Sequence, residues 1–368
     1  MGDLAALMSI NRTFWNRRRT FLTGHTGFKG GWLATWLLDL EAQVSGYSLP
    51  PATEGSYFTL CNLDRRIESV FSNILDVDVL STAMYRSRPQ IVFHLAAQPL
   101  VRRSYRQPVE TFATNVMGTL NLLEAVRKTP SVKAVVVITS DKCYENRELI
   151  RGYRESDPLG GHDPYSASKG CAELITSSYQ RSFFQSGDLR VSAATARAGN
   201  VFGGGDTAED RLVPDAVRAL RSGEPLMVRN PPSVRPWQHV MEPLAGYLML
   251  AERLYTEGNR WAGAWNFGPG DDGALPVSAL ADSLIKHWGE GSWRAAEEVN
   301  APHETCYLKL DCDKARRLLG WKPVLSLDQA VALTMRWYRQ ASTNAGEDMF
   351  NYSREQIHDY GQLAAQSK

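Results

Sequence analysis

The run Val135-Val136-Val137-Ile138, followed at once by Thr139-Ser140-Asp141-Lys142-Cys143-Tyr144-Glu145, constrains this chain more than any other stretch. It is short, β-branched and free of polar residues, the composition of a central parallel strand covered on both faces. Open parallel sheets hold ligands beyond the carboxyl ends of their strands, so Thr139 to Lys142 are expected over a cleft. Downstream, Tyr165-Ser-Ala-Ser-Lys169 has i,i+4 spacing, which places a phenol and an ammonium on one helix face. The ammonium is expected to lower the phenol's pKa, giving a group that takes and returns a proton near neutrality, as hydride chemistry at a carbinol requires. Alone, a tyrosine and a lysine at this spacing describe many solvated helices; the polar strand end before them makes the pair informative.

A second organising point lies near the amino terminus, where Thr20-Phe21-Leu22-Thr23 runs into Gly24-His25-Thr26-Gly27-Phe28-Lys29-Gly30 and an amphipathic stretch, Trp32 to Leu40. Strand, glycine turn and helix suit a dinucleotide: glycines permit close backbone approach, and the helix amino terminus attracts pyrophosphate. The spacing is G-x-x-G-x-x-G, not the G-x-G-x-x-G of the simplest dehydrogenases. The next strand, 43–48, ends on Tyr47 and Ser48, with neither an acid for an adenosine ribose nor an arginine for a 2′-phosphate, so NAD is preferred to NADP. Residues 73–78 could close another strand with Asp76 and Val77 at the adenine edge; alternatively Asp76 caps the segment beginning at Val79. Ile91 to Gln98 reads as the fourth strand, offering Leu95, Ala96 and Ala97 to a flat cofactor, with His94 packed at its end. The fold class is α/β: a Rossmann-type doubly wound parallel sheet with a smaller C-terminal substrate-binding lobe.

At 368 residues and 43% hydrophobic content, the chain can bury a large core. The reading assigns 8–196 with 237–269 to the dinucleotide domain, 197–236 with 270–350 to the lobe, and 351–368 to a loosely ordered tail. Short strands at 234–240 and 264–269 are expected to return to the main sheet, and 308–321 and 327–338 to be helical. A net charge of +1 offers no broad field for nucleic acid or membrane. Cys61, Cys143, Cys171, Cys306 and Cys312 share no C-x-x-C spacing and read as reduced thiols, not a disulfide framework or a metal site. With no signal core and no 18-residue apolar run, the cytoplasm is the expected location. Arg197, Arg211, Arg235, His239 and His303 each read alone as surface charge, but gathered in one lobe arginines suit a diphosphate. Asn115, on the helical stretch 109–127, is expected to bridge backbone and solvent near Lys169.

Thr23-Gly-x-x-Gly-Phe-x-Gly30, His94-Leu-Ala-Ala97 and Tyr165-x-x-x-Lys169 together resemble the extended short-chain dehydrogenase/reductase superfamily, which modifies nucleotide sugars. Val44-Ser-Gly-Tyr-Ser-Leu-Pro50, Thr139 to Asn146, Asp163-Pro-Tyr-Ser-x-Ser-Lys169 and Arg197-Ala-Gly-Asn-Val201 narrow the likeness to its 4,6-dehydratases, those acting on CDP-glucose. The resemblance implies NAD as cofactor, a nucleotide-sugar substrate and a homodimer or homotetramer. It implies that hydride leaves carbon 4 of the hexose while Tyr165 takes the hydroxyl proton, that a base removes the carbon 5 proton as an acid expels the carbon 6 hydroxyl as water, and that hydride returns to carbon 6. By position Asp141 is the acid and Lys142 the base, where dTDP-glucose relatives carry a glutamate; Glu145 is the rival base. A lysine serves only when unprotonated, which desolvation beside Lys169 and a cationic nicotinamide favours. Ser140 would hold substrate or orient the nicotinamide, and Gln98, Asn200, Arg197, Arg211, Leu212, Arg235, His239, Asn266 and His303 would line the substrate site. Gly24 to Gly30 with Asp76, Val77, Leu95 to Ala97, Asn115, Tyr165 and Lys169 would hold the cofactor. A 4-epimerase of the same superfamily and a non-catalytic dinucleotide sensor are the alternatives; Asp141-Lys142 favours elimination, and the intact tyrosine and lysine speak against a sensor.

Overall fold

The computed structural model describes residues 10–185, 190–270, 273–296, 307–343 and 348–366. Seven parallel strands form the main sheet: β1 (Arg19–Thr23), β2 (Gln43–Ser48), β3 (Glu68–Phe71), β4 (Ile91–His94), β5 (Ala134–Ile138), β6 (Ser192–Arg197) and an edge strand, Gly263–Asn266. Their order is β3-β2-β1-β4-β5-β6-edge, reversing between β1 and β4, where Thr23 registers beside His94. The ligand crevice of a doubly wound sheet opens at those carboxyl ends.

The uninterrupted apolar run of β5 follows from this placement. Val135 and Val137 enter one core layer with Phe21, Val92 and Leu122, while Val136 and Ile138 enter the other with Leu22, Phe93 and Leu248. Helices close both layers, so a polar residue at any of these positions would be stranded. Each buried valine contributes roughly 1.5–3 kcal/mol.

Four expectations are corrected. The strand foreseen at 73–78 is β3, which ends at Phe71; Asp76 instead caps helix Val77–Ser87, its Oδ1 accepting the Val79 N–H at 3.2 Å. Val77 is thus the first residue of that helix. Val234–Pro236 does not return to the main sheet but pairs antiparallel with Ala274–Pro276, and Gln238–His239 pairs with Val201–Phe202. Within 308–321, the helical structure is the single turn Ala315–Leu319. The tail is a helix, Met349–Gln366, packed on helix Phe28–Asp39. Its anchor is Asp39, which accepts Arg12 Nη1 (2.9 Å) and Arg354 Nε (2.8 Å) and lies 2.9 Å from His358 Nε2. Burial pushes the Asp39 carboxyl up, but the two arginines outweigh it and hold the group below its usual range. Among the described residues, no helix is long and apolar enough to cross a membrane.

Candidate active site

The glycine turn is built for close approach. Gly24 sits at φ +73°, and a Cβ there would lie 2.7 Å from the Ala96 nitrogen; a Cβ on Gly30 would overlap the Gly24 carbonyl. Gly27 precedes helix Phe28–Asp39 without a side-chain cap, leaving amino-terminal N–H groups for an anion. These features fit a dinucleotide pyrophosphate. The Thr26 hydroxyl donates to the Leu49 carbonyl (2.9 Å), tying the turn to β2. His25 packs against Phe58 and Phe71, and burial lowers its pKa to about 4, so it is a neutral wedge of the turn. Beneath it, Thr119 donates to the Asn115 carbonyl (2.7 Å) and accepts from His94 Nε2 (3.1 Å), so His94 Nδ1 accepts from Thr23 (2.7 Å). Thr23 Oγ1 accepts the Leu95 and Ala96 N–H groups, both at 3.2 Å, shaping the bend on which Leu95, Ala96 and Ala97 lie. His94 is the packed, neutral histidine expected, its pKa lowered to about 3 by burial.

Tyr165 and Lys169 are buried on helix Pro164–Tyr179, which Asp163 caps through the Ser166 N–H at 2.9 Å. Lys169 Nζ donates to the Ile138 carbonyl (3.2 Å), bringing the ammonium to the end of β5. Burial draws its pKa down to about 8 against the opposing charge of Glu173. The phenol departs from expectation: burial raises Tyr165 to about 12, and Ser140 and Arg211 pull it only partly back, because desolvation of a phenolate outweighs one hydrogen bond and a nearby cation. Ser140 Oγ donates to Asp141 Oδ1 (2.9 Å) and accepts the Lys142 N–H (3.2 Å). Asp141 is buried, and its Oδ2 has no partner. That oxygen lies against Gly199, where a Cβ would overlap it. Lys142 is half-buried beside it, whereas Glu145 is exposed and accepts from Arg147 at 2.8 Å.

Arg211 donates to Asp206 (2.9 Å) and faces Tyr165. Burial, then Arg211 and Lys169, draw Lys29 down to about 7 against Asp141 and Asp206. Lys29, Lys169 and Arg211 therefore share one cleft with Asp141 and Asp206, an arrangement suited to phosphate groups. Asn200 adopts φ +49°, and its buried Nδ2 has no partner, an open donor at the same end of the sheet.

Other foreseen residues are occupied elsewhere. Arg197 is buried in a bidentate pair with Glu173 (Nε–Oε1 2.9 Å, Nη2–Oε2 2.8 Å) and donates to the Tyr144 hydroxyl (2.6 Å), so it does not reach substrate. Asn266 spends its amide on the Tyr153 and Asp311 carbonyls and the Tyr144 hydroxyl. Gln98 binds Thr111 and both backbone groups of Leu100. Asn115 clasps the Gln98 backbone and Ser168, bridging backbone to a helix and not to solvent. His239 is wholly buried between Trp32 and Phe202, its pKa lowered to about 3 by burial. Each of these amides or rings was read as a ligand group because sequence does not show its tertiary partner. Arg235 lies in the small antiparallel pair and donates to the Val234 carbonyl; Leu212 opens helix Leu212–Arg221 behind Arg211. His303 lies outside the described residues. Sequence reading missed Glu173 and Gly199. Glu173 had a signal, an acid one turn beyond Lys169 on the same helix face.

A glycine turn at the sheet crevice facing a buried tyrosine and lysine defines an NAD-dependent enzyme of the Rossmann class. Residues 20–266 match the NAD dependent epimerase/dehydratase family, and the chain belongs to it. It is 49% identical over 354 residues to the CDP-glucose 4,6-dehydratase of Salmonella typhimurium, covering 95% of this chain and 98% of that protein. It is 26% identical over 337 residues to a dTDP-glucose 4,6-dehydratase of Xanthomonas campestris, covering 86% and 92%. The NAD-bound structure of a dTDP-glucose 4,6-dehydratase from Streptomyces venezuelae aligns with a TM-score of 0.76 at 25% identity, covering 88% of this chain and 98% of that one.

Proposed function

We propose that this NAD-dependent dehydratase converts CDP-glucose to CDP-4-dehydro-6-deoxyglucose. The observation that carries the reading is Asp141: a buried carboxylate with one oxygen unpartnered, next to Lys142 and linked through Ser140 to the Tyr165 side of the cleft. A 4-epimerase has no use for an acid and a base there. Likeness to the Salmonella protein along nearly the whole chain supports cytidine as the base.

The turn Gly24 to Gly30 and the Ala96–Ala97 bend would hold NAD, which supplies reversible hydride acceptance. Tyr165 takes the carbon 4 hydroxyl proton, its phenolate favoured by Ser140 and Arg211. The resulting ketone acidifies carbon 5; Lys142 removes that proton while Asp141, through its open oxygen, protonates the departing carbon 6 hydroxyl. Asn200 and Arg211 would grip the diphosphate, with residues 197–236 and 270–350 forming the lobe over it. A second copy would cover the exposed apolar side chains Val109 (80% exposed), Met117 (48%), Leu174 (60%) and Phe183 (42%), which lie on the helices flanking the site. The free thiols Cys61, Cys143, Cys171 and Cys312 suit a reducing cytoplasm.

The test is incubation with CDP-glucose in deuterated water. Elimination places solvent deuterium at carbon 5 and leaves a carbon 6 methyl free of it. A hexose of unchanged mass with carbon 4 inverted would identify an epimerase, and unchanged substrate would favour a sensor. Better turnover of dTDP- or UDP-glucose would keep the mechanism and replace the nucleotide.

A further inference from the structure

We propose that Glu173 is a positioning residue whose carboxylate keeps Lys169 an ammonium. The inference rests on the reading of Tyr165 and Lys169 as the proton-handling pair. Glu173 stands one helical turn beyond Lys169 on the same buried face. All four of its strong acceptor positions are filled: Oε1 by Thr139 Oγ1 (2.5 Å) and Arg197 Nε (2.9 Å), Oε2 by Thr195 Oγ1 (2.6 Å) and Arg197 Nη2 (2.8 Å). The donors come from β6 and from the end of β5, so the carboxylate is held as an anion at a fixed point between the two strands and the helix.

Lys169 needs such a neighbour. Its surroundings are the Ile138 carbonyl, Tyr165 on its own helix, Cys143 after β5, His94 at the end of β4 and Lys29 on the turn helix. Cys143 is pushed above its usual range by burial and stays a thiol, His94 is neutral, and Lys29 repels. Glu173 supplies the opposing negative charge that holds the buried lysine near pKa 8 instead of lower still. A neutral Lys169 would no longer favour the Tyr165 phenolate, so the first proton transfer would fail as pH rises.

The pair can be removed together. Glu173→Gln/Arg197→Gln deletes both charges while keeping hydrogen-bonding groups, avoiding the unpaired buried ion that either single change leaves. In the ligand-free protein, competitive acetylation of Lys169 read by mass spectrometry against pH gives its ionisation midpoint. We expect about 8 in the parent protein and about one unit lower in the double variant, with the alkaline limb of turnover moving by the same amount. Glu173→Asp retains the charge and the pair and should keep the midpoint within about half a unit. A folded double variant with an unmoved midpoint would overturn the proposal, as would an aspartate variant whose midpoint falls as far as the double. If the parent protein fails to dehydrate CDP-glucose, the functional reading fails, yet the acetylation midpoint still judges Glu173.

Discussion

Two buried polar clusters lie at neighbouring strand ends and differ in one respect. At β6, Glu173 and Arg197 have their hydrogen bonds complete, shared with Thr139, Thr195 and Tyr144. Beyond β5, Asp141 leaves Oδ2 without a partner, and Asn200 leaves Nδ2. A buried polar atom left unpaired costs roughly 1–3 kcal/mol, a cost a fold would shed unless a ligand completes the bond. The finished cluster is therefore scaffold and the unfinished one is the reacting site.

The largest effect should come from the unfinished cluster. Asp141→Asn and Lys142→Met should each lower CDP-glucose turnover by about 10²–10⁴-fold with little change in melting temperature. Lys142→Met should also stop solvent deuterium entering carbon 5. Normal turnover by Lys142→Met with an inactive Glu145→Gln would move the base to Glu145.

The finished cluster should respond in stability. Arg197→Ala leaves the Glu173 carboxylate buried without its ion-pair partner and should cost about 3–5 kcal/mol in urea unfolding. Unchanged stability would erase the distinction between the clusters.

A smaller effect comes from acid. Burial lowers His25 to about 4 and His94 and His239 to about 3, from 6.5 when unfolded. The unfolded chain then binds protons that the folded chain refuses, so this stability is present above pH 6.5 and lost as pH falls from 6.5 towards 3. The urea midpoint should decline over that window, and His94→Gln should flatten the decline. The smallest change belongs to Glu145→Gln: its pair with Arg147 is exposed at both ends, so unfolding free energy should move by less than about 1 kcal/mol.

The comparison also shows which residues could be read in advance. Val135 to Ile138, the glycine turn and the Tyr165–Lys169 spacing were legible because a strand buried on both faces, a left-handed turn and an i,i+4 face each impose a local pattern. Arg197 was not. As a bare residue it resembles any substrate-binding arginine, and its partner Glu173 stands 24 positions earlier on a helix across the sheet. Gln98, Asn115 and Asn266 were misread for the same reason, since a side-chain amide shows its chemistry in sequence but not whether that chemistry is already used. Asp76 was legible in both senses, and the local one, a cap on Val79, is what the backbone adopts.

The amino-acid sequence by itself determined the doubly wound parallel sheet, the place of the dinucleotide turn and the order Ser140-Asp141-Lys142 at a strand end, because these depend on periodicity and on neighbours a few residues apart. Tertiary structure alone decided which polar groups remain unpaired. It placed Gly199 against Asp141, filled Glu173 from two strands, and raised the Tyr165 phenol by burial where chain spacing had foretold a lowering. Desolvation and hydrogen-bond completion are properties of the packed interior, set by atoms that meet from distant positions in the chain.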